Sequence, residues 1–384
     1  MRIFKKILRW TFIIVVLLNI AVFISGKQYL YKAIANTYLM GRASPAIDEY
    51  KIFDNAEVKN GSFQQWPLSK FYNSVKVAAA LQEKMNYYGS VSFLVIKNDS
   101  IRYEQYWENY DQNSVSNSFS MAKTFVSILT GIAIDQGKIK NIDQPVGDFL
   151  PEFSNGENKK VTIKHLLTMS SGINFDEDYV NPFAYPAAAY YGSDLKKLTF
   201  NYKVTKEPGR IFEYLSGNTE ILGFVLEKAT GMSLSTYASE KLWKPLGAKN
   251  PAFWGLDHQG GVEKAYCCFN SNARDFARIG QLFLKQGNWK GQQILSKQYV
   301  NTSIHPADII GENGQKNKNY GLSWWLINYK NNPIYYARGI LGQYIFVVPD
   351  KNMVIVRLGH KRDKHLTEGH PDDIFYYLDA AFEM

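Results

Sequence analysis

The chain has only two cysteines in 384 residues, and they are adjacent, Cys267 and Cys268. Neighbouring cysteines close only a small strained ring, so a framework of structural disulfides is excluded and buried, idle thiols are expected. Metal-ligand spacing is equally scarce. There is no HExxH and no CxxC, and the six histidines are scattered, so neither a metal nor another cofactor is expected. No low-complexity run and no repeat of solenoid or propeller period is present, which excludes those architectures. The formal charge is +9, yet no Lys/Arg block carries interleaved aromatics, so nucleic acid is not an expected partner. Four of the positive residues (Arg2, Lys5, Lys6 and Arg9) fall in the first nine positions.

What is present is enough for a globular core, with 46% hydrophobic and 21% charged residues. After the basic residues 1–9, Trp10 to Ser25 is almost wholly apolar. A basic flank before an apolar run predicts a cytoplasmic N-terminus and export of everything that follows. A small-x-small site appears only at Ala33-Ile34-Ala35, far from the run. A transmembrane signal anchor over 10–26 is therefore expected rather than a cleaved signal peptide, leaving the body of the protein periplasmic or otherwise outside the cytoplasm. Residues 27–68 read as a leader draped over that body, and 69–384 as the single folded domain.

Within the domain, Lys70 to Tyr88 has helical spacing, and Ser90 to Trp107 alternates around Asn98-Asp99-Ser100 as a β-hairpin does. From Ser120 to about Val300 the pattern is mainly helical; Lys123 to Gly137, Asn218 to Gly231 and Arg274 to Gly287 each close on a glycine. Strands return from Tyr320 to His360, and Asp372 to Phe382 closes the chain as a helix. Strands at both ends around a helical middle predict an α+β fold. Its antiparallel sheet is built from both chain ends, with flanking helices and a mainly helical insertion at about 125–315.

Ser120-Met121-Ala122-Lys123 opens the first long helix. Residues three apart lie about 60° apart around a helix with a rise of roughly 4.5 Å, so hydroxyl and ammonium face the same way. A serine becomes a nucleophile when a neighbouring base removes its proton, and a lysine amine can be that base. The motif is short, and Ser193-Asp194-Leu195-Lys196 matches it equally well. There, however, Asp194 and Lys197 read as an N-capped surface turn. The helix after Ser120 continues apolar (Phe125, Val126, Ile128, Leu129, Ile132), which directs it into a core.

Around this motif the chain resembles the serine β-lactamase and penicillin-binding-protein superfamily, in particular its class C, family VIII esterase and 6-aminohexanoate-dimer-hydrolase branch. The resemblance runs over roughly 85–360 and rests on ordered landmarks: DQGKIKNIDQPVGDFLPEF (135–153), VTIKHLLTMSSG (161–172), EPGRIFEYLSGNTEILGFVLEKATGMSLSTY (207–237), LWKPLGA (242–248), ARDFARIGQLFLKQG (273–287) and ARGILGQYIFVVP (337–349). It implies a β-lactamase/transpeptidase-like fold and a serine hydrolase cleaving an amide or ester bond. Ser120 would be the acylated nucleophile and Lys123 its base. The family's Tyr-x-Asn motif reads Tyr214-Leu215-Ser216 here, so Tyr214 would relay protons. Ser216 would bind substrate in place of the usual asparagine.

The third motif, Lys-Thr-Gly or His-x-Gly, is replaced by Ala337-Arg338-Gly339. The resemblance implies that the strand ending there is an edge strand. The backbone N–H of Ile340 would then pair with that of Ser120 as the oxyanion hole, with Gly339 allowing close approach of substrate. Arg338 could supply the missing cation, one place later than the family has it. The expected partner is a small amide, ester or peptide. A D-amino-acid peptidase or β-lactamase acting on cell-wall-like substrates, and a non-catalytic peptide-binding homologue, are the alternatives. His165 is expected to pack beneath the Ser-Ser-Gly turn. His370 is placed near the rim of the site, and Asp176, Glu177 and Asp178 read as a solvated acidic turn. Tyr185, Tyr190 and Tyr191 read as packing residues that could wall the cleft.

Overall fold

A computed structural model describes all 384 residues. The strands are β1 (Asn55–Val58), β2 (Ser90–Lys97), β3 (Ser100–Tyr106), β4 (Ser116–Asn117), β5 (Ala252–Gly255), β6 (Phe269–Ser271), the short hairpin β7 (Asn288–Trp289) and β8 (Gln292–Gln293), β9 (Trp325–Tyr329), β10 (Asn332–Gly339), β11 (Gln343–Val348), β12 (Met353–Gly359) and the short pair β13 (Leu366–Thr367) and β14 (His370–Pro371). The main sheet is six-stranded and antiparallel, in the order β3-β2-β12-β11-β10-β9. Strand β2, from the N-terminal half, pairs with β12, from the C-terminal end, so both ends of the chain build one sheet.

Side-chain alternation decides the layers. Phe93 and Val95 of β2 face one core with Met85, Ile374 and Tyr377. Leu94 and Ile96 face the other with Phe276, Ile279 and Val354. Successive side chains on a strand point to opposite faces, so a run buried throughout needs cover on both. Helices α3 (Ala79–Tyr87) and α12 (Asp373–Phe382) contribute to the first core, and α10 (Ala273–Leu284) to the second. Beyond α10 lies the helical region with α4 (Ala122–Asp135), α5 (Ile163–Leu167), α6 (Tyr185–Tyr191), α7 (Leu195–Phe200), α8 (Ser216–Thr230), α9 (Leu234–Ala238) and α11 (Lys297–Ser303).

The insertion at 125–315 is mainly helical as expected, and the short strands β5 and β6 within it join β1 and β4 in a four-stranded sheet of order β1-β5-β6-β4. Two expectations need correction. The segment 27–68 is no mere leader, since β1 supplies an outer strand and Ile47, Phe53 and Val58 are buried in the core. Residues 70–78 are not helical. Ser69 N–H bonds the Ile101 carbonyl, and the Asn73 side chain bonds both the N–H and the carbonyl of Glu104. Pairing alongside β3 overrides the local periodicity, as tertiary context often does.

At the N-terminus, helix α1 (Arg2–Ile24) is continuous through the basic and apolar segments, has a mean hydropathy of 2.5 over its most apolar window, and buries no residue in the protein. It is long and apolar enough to cross a membrane. Helix α2 (Tyr29–Asn36) follows after four residues and packs on the body near α6.

Candidate active site

Helix α4 is buried along almost its whole length, Ala122 to Ala133 without a break. A helix that is apolar all round has no solvent face, so a lysine in its first turn is carried into the interior. Lys123 is 1% exposed. Its Nζ lies 3.0 Å from Ser120 Oγ and 3.0 Å from the carbonyl oxygen of Tyr266, and it makes no ion pair with any carboxylate. Ser120 sits in a 3₁₀ turn, Phe119–Met121, that leads directly into α4. The turn is pinned from outside: Asn117 Oδ1 accepts from Phe119 N–H at 2.8 Å, and the Phe269 carbonyl accepts from Ser118 N–H at 2.9 Å. Phe119 has φ +43°, a left-handed conformation uncommon for a bulky residue and concentrated at functional sites. The hydroxyl–amine pair is therefore held by two strands and a buried helix.

Tyr214 enters from the residue pair before α8. Its ring lies 5.1 Å from Lys123 Nζ, and the contact is with the face of the ring rather than with the hydroxyl. The same ring packs against Trp325 at 5.4 Å and edge-on to Tyr320 at 6.0 Å. Tyr214 lines a cleft that also reaches Ser120, Arg338 and Ile340.

Strand β10 is not itself the sheet edge; β9 lies outside it. However, β9 pairs only with Asn332 to Tyr336, whereas β11 pairs as far as Gly339. The end of β10, from Ala337, is thus open on one side, and the turn that carries Ser120 packs there. A Cβ on Gly339 would lie 2.4 Å from the backbone oxygen of Ser118. Only glycine lets the strand and the serine turn come this close. Ile340, next in the chain, lines both cavities that open at Ser120.

Arg338 stands on the wall of the cleft. Its guanidinium stacks on Trp325 at 3.3 Å, and Nη1 donates to the Gly369 carbonyl at 3.0 Å. Trp325 stands opposite Tyr336 in the sheet register, so one aromatic ring supports both Tyr214 and Arg338.

Ser216 is placed differently from the expected substrate contact. It is buried at the first turn of α8, its hydroxyl donates to Glu177 Oε1 at 2.5 Å, and its N–H donates to Glu177 Oε2 at 2.8 Å. A carboxylate at a helix N-terminus is favoured by the unpaired N–H groups and the dipole there. Glu177 is therefore no solvated turn residue, although Asp176 and Asp178 are exposed. Tyr179 also donates to Glu177 Oε1, at 2.8 Å.

The remaining expectations resolve simply. Thr162 and His165 form a reciprocal capping box at the start of α5, so His165 is structural. His370 is buried behind Arg338 and bonded to the Tyr336 hydroxyl at 2.7 Å; burial, with Arg338 beside it, pulls its pKa down to about 3. Asp194 caps α7, as its turn-like context predicts. Tyr190 and Tyr191 line the cavity beside Ser120, while Tyr185 is buried and bonded to Thr199. Cys267 and Cys268 are joined by a disulfide rather than being free thiols, buried immediately after Tyr266. The expectation failed because the turn brings consecutive side chains to the same side, with Cys268 at φ +66°.

Sequence reasoning missed Tyr266, whose contribution is a backbone carbonyl and so leaves no side-chain signature. It also missed the pairing of Glu177 with α8, and Trp325 beneath Arg338.

An antiparallel sheet between helical layers, with a serine and a lysine at the head of a central buried helix, defines the class of serine hydrolases that share the β-lactamase fold. The Beta-lactamase family model matches residues 77–376, and the chain belongs to that family. It is similar to the 6-aminohexanoate-dimer hydrolase of Paenarthrobacter ureafaciens, 24% identical over 306 residues, covering 76% of this chain and 77% of that protein. Among solved structures, a Bacillus anthracis protein provisionally named as a 6-aminohexanoate-dimer hydrolase superposes with a TM-score of 0.76 at 22% identity, covering 88% and 92% of the two chains. A family VIII carboxylesterase superposes with a TM-score of 0.61 at 18% identity, over 80% and 99%. The protein is a β-lactamase-related hydrolase of the amide and ester class.

Proposed function

We propose that the protein cleaves an amide or ester bond through an acyl-enzyme on Ser120, as a membrane-anchored enzyme whose catalytic domain lies outside the cytoplasm. The observation that carries this reading is the 3.0 Å contact between the buried Lys123 Nζ and Ser120 Oγ, at the floor of a cleft that a substrate can enter. Lys123 takes the Ser120 proton while Oγ attacks the carbonyl carbon. The backbone N–H groups of Ser120 and Ile340 stabilise the oxyanion. The proton then passes to the leaving group, relayed by Tyr214, whose ring lies beside Lys123. Water attacks the acyl-enzyme and restores Ser120. Arg338 and Gly339 form the substrate-facing wall, while Ser216 acts through Glu177 to fix α8. Support for the anchor comes from α1, with its basic flank.

The test is hydrolysis of p-nitrophenyl acetate and butyrate by the full-length chain in neutral detergent, beside Ser120→Ala and Lys123→Met. Turnover lost in both variants, with folding intact, is expected. Equal rates in Ser120→Ala and the parent chain overturn the reading, and the binding-protein alternative then takes its place.

A further inference from the structure

Two cavities meet at Ser120 and Ile340, and they differ in chemistry. The first encloses about 260 Å³, and twelve of its eighteen lining residues are hydrophobic. One wall is Tyr190, Tyr191 and the 179–182 loop. The other is formed by the segment that follows α1, with Ala33 of α2, Tyr38 and Pro45. The two walls are clamped together: the Tyr29 hydroxyl donates to the Pro182 carbonyl at 3.1 Å, and Lys27 Nζ sits 4.4 Å over the Phe183 ring. At the mouth Tyr38 is 63% and Val180 88% exposed, and Leu39 and Met40, in the same turn as Tyr38, are exposed too. The second cavity, of about 620 Å³, is lined by Arg338, Lys361, Arg362 and Lys364 against one acid, Asp363. None of the four cations is in an ion pair, and Asp363 is engaged by the Tyr88 hydroxyl.

An apolar pocket and a set of unpaired cations that both reach one nucleophile match a substrate with an apolar part and a negatively charged part joined at the scissile bond. Building the apolar wall from the residues next to α1 places the pocket mouth, with its exposed Tyr38, Leu39 and Val180, where the chain leaves the apolar helix. On the basis of the hydrolase reading above, we infer that the substrate is an anionic amphiphile resident in the membrane: an acyl chain linked by an ester or amide to a head group bearing a carboxylate or phosphate. The acyl chain occupies the apolar cavity and the head group faces Arg338, Arg362 and Lys364. Ser120 Oγ bonds to the acyl carbonyl carbon, the bond to the head group breaks, and the proton taken from Ser120 goes to the departing oxygen or nitrogen. Water then releases the fatty acid.

The test uses the full-length chain in phosphatidylcholine nanodiscs and four aryl esters: phenyl acetate, phenyl octanoate, 4-acetoxybenzoate and 4-octanoyloxybenzoate. In kcat/KM, the octanoyl esters are expected to exceed the acetyl esters at least tenfold, a preference that two or three buried methylenes suffice to give. The carboxylated octanoyl ester is expected to exceed its neutral partner two- to fivefold, the scale of exposed charge pairs. Ala33→Trp, or should that variant misfold Ala187→Leu, at a residue of α6 that lines the same cavity, lowers the octanoyl-to-acetyl ratio at least fivefold. Arg362→Gln with Lys364→Gln removes the carboxylate preference. Partition of the esters into the bilayer is common to parent and variants, so these changes in ratio report the cavities alone. Turnover that depends on Ser120 but is flat across chain length and charge overturns this inference and leaves the hydrolase reading intact. No Ser120-dependent turnover of any ester overturns both.

Discussion

The carbonyl oxygen of Tyr266 accepts a hydrogen bond from Lys123 Nζ at 3.0 Å, the same separation that Nζ keeps from Ser120 Oγ. The amine is thus suspended between the nucleophile and a main-chain atom, and its position depends on the backbone that carries that carbonyl. The next two residues are the joined Cys267 and Cys268, which hold the turn after Tyr266. Freeing that turn lets the carbonyl move, and a base displaced by a fraction of an ångström is a poorer base. Cys267→Ser with Cys268→Ser is expected to lower kcat about tenfold with a smaller change in KM. Treatment of the parent chain with dithiothreitol should reproduce the effect and leave the double variant unchanged; steady-state kinetics on both samples checks it.

Gly339 allows β10 to approach the serine turn. Gly339→Ala drives a methyl against the Ser118 carbonyl at 2.4 Å, a backbone atom that cannot move aside without shifting Ser120. Loss of about 10²-fold in kcat is expected, comparable to removal of one oxyanion donor. Far-ultraviolet circular dichroism should remain that of the parent chain.

Glu177 ties the loop beside the apolar cavity to the first turn of α8. Glu177→Ala leaves the Ser216 N–H and hydroxyl without their acceptor, a loss of about 1–3 kcal/mol for buried donors. Chemical denaturation should show that decrease. Glu177→Gln, which keeps an acceptor, should recover at least half of it.

Lys264 is a buried cation that the proposed chemistry does not use. Its Nζ donates to the Tyr190 carbonyl at 2.7 Å and lies 3.7 Å over the Phe53 ring, with Lys32, Asp257, Glu220 and Asp54 around it. Burial, with Lys32 adding to it, lowers its pKa to about 7. Between pH 7 and about 10 the unfolded chain binds this proton and the folded chain does not, so stability rises with pH across that window. Urea denaturation at pH 7.0 and 9.5 should show the increase in the parent chain and its loss in Lys264→Met. The pH dependence itself, present in the parent chain and absent from the variant, is the signature of this buried amine.

The sequence by itself determined that one antiparallel sheet is built from both chain ends and that Ser120 and Lys123 stand together at the head of a buried helix. Alternation in β2 and β3 and in the strands from 325 to 359, with helical spacing between, is a local property, and it placed one sheet at both ends of the chain. Ser120 and Lys123 were legible because residues three apart, across the 3₁₀ turn and the first turn of α4, lie on one side of the chain. Tertiary structure alone decided what depends on contacts distant in sequence. The Tyr266 carbonyl reaches Lys123 across 143 residues, and Glu177 takes the Ser216 hydroxyl across 39. Residues 70–78 gave up a helical pattern to lie along β3. The wall of the apolar cavity joins Ala33 to Tyr190. A main-chain acceptor, a hydroxyl already occupied and a wall shared by two distant segments leave no periodicity or motif, because each is defined by which surfaces meet when the core is buried.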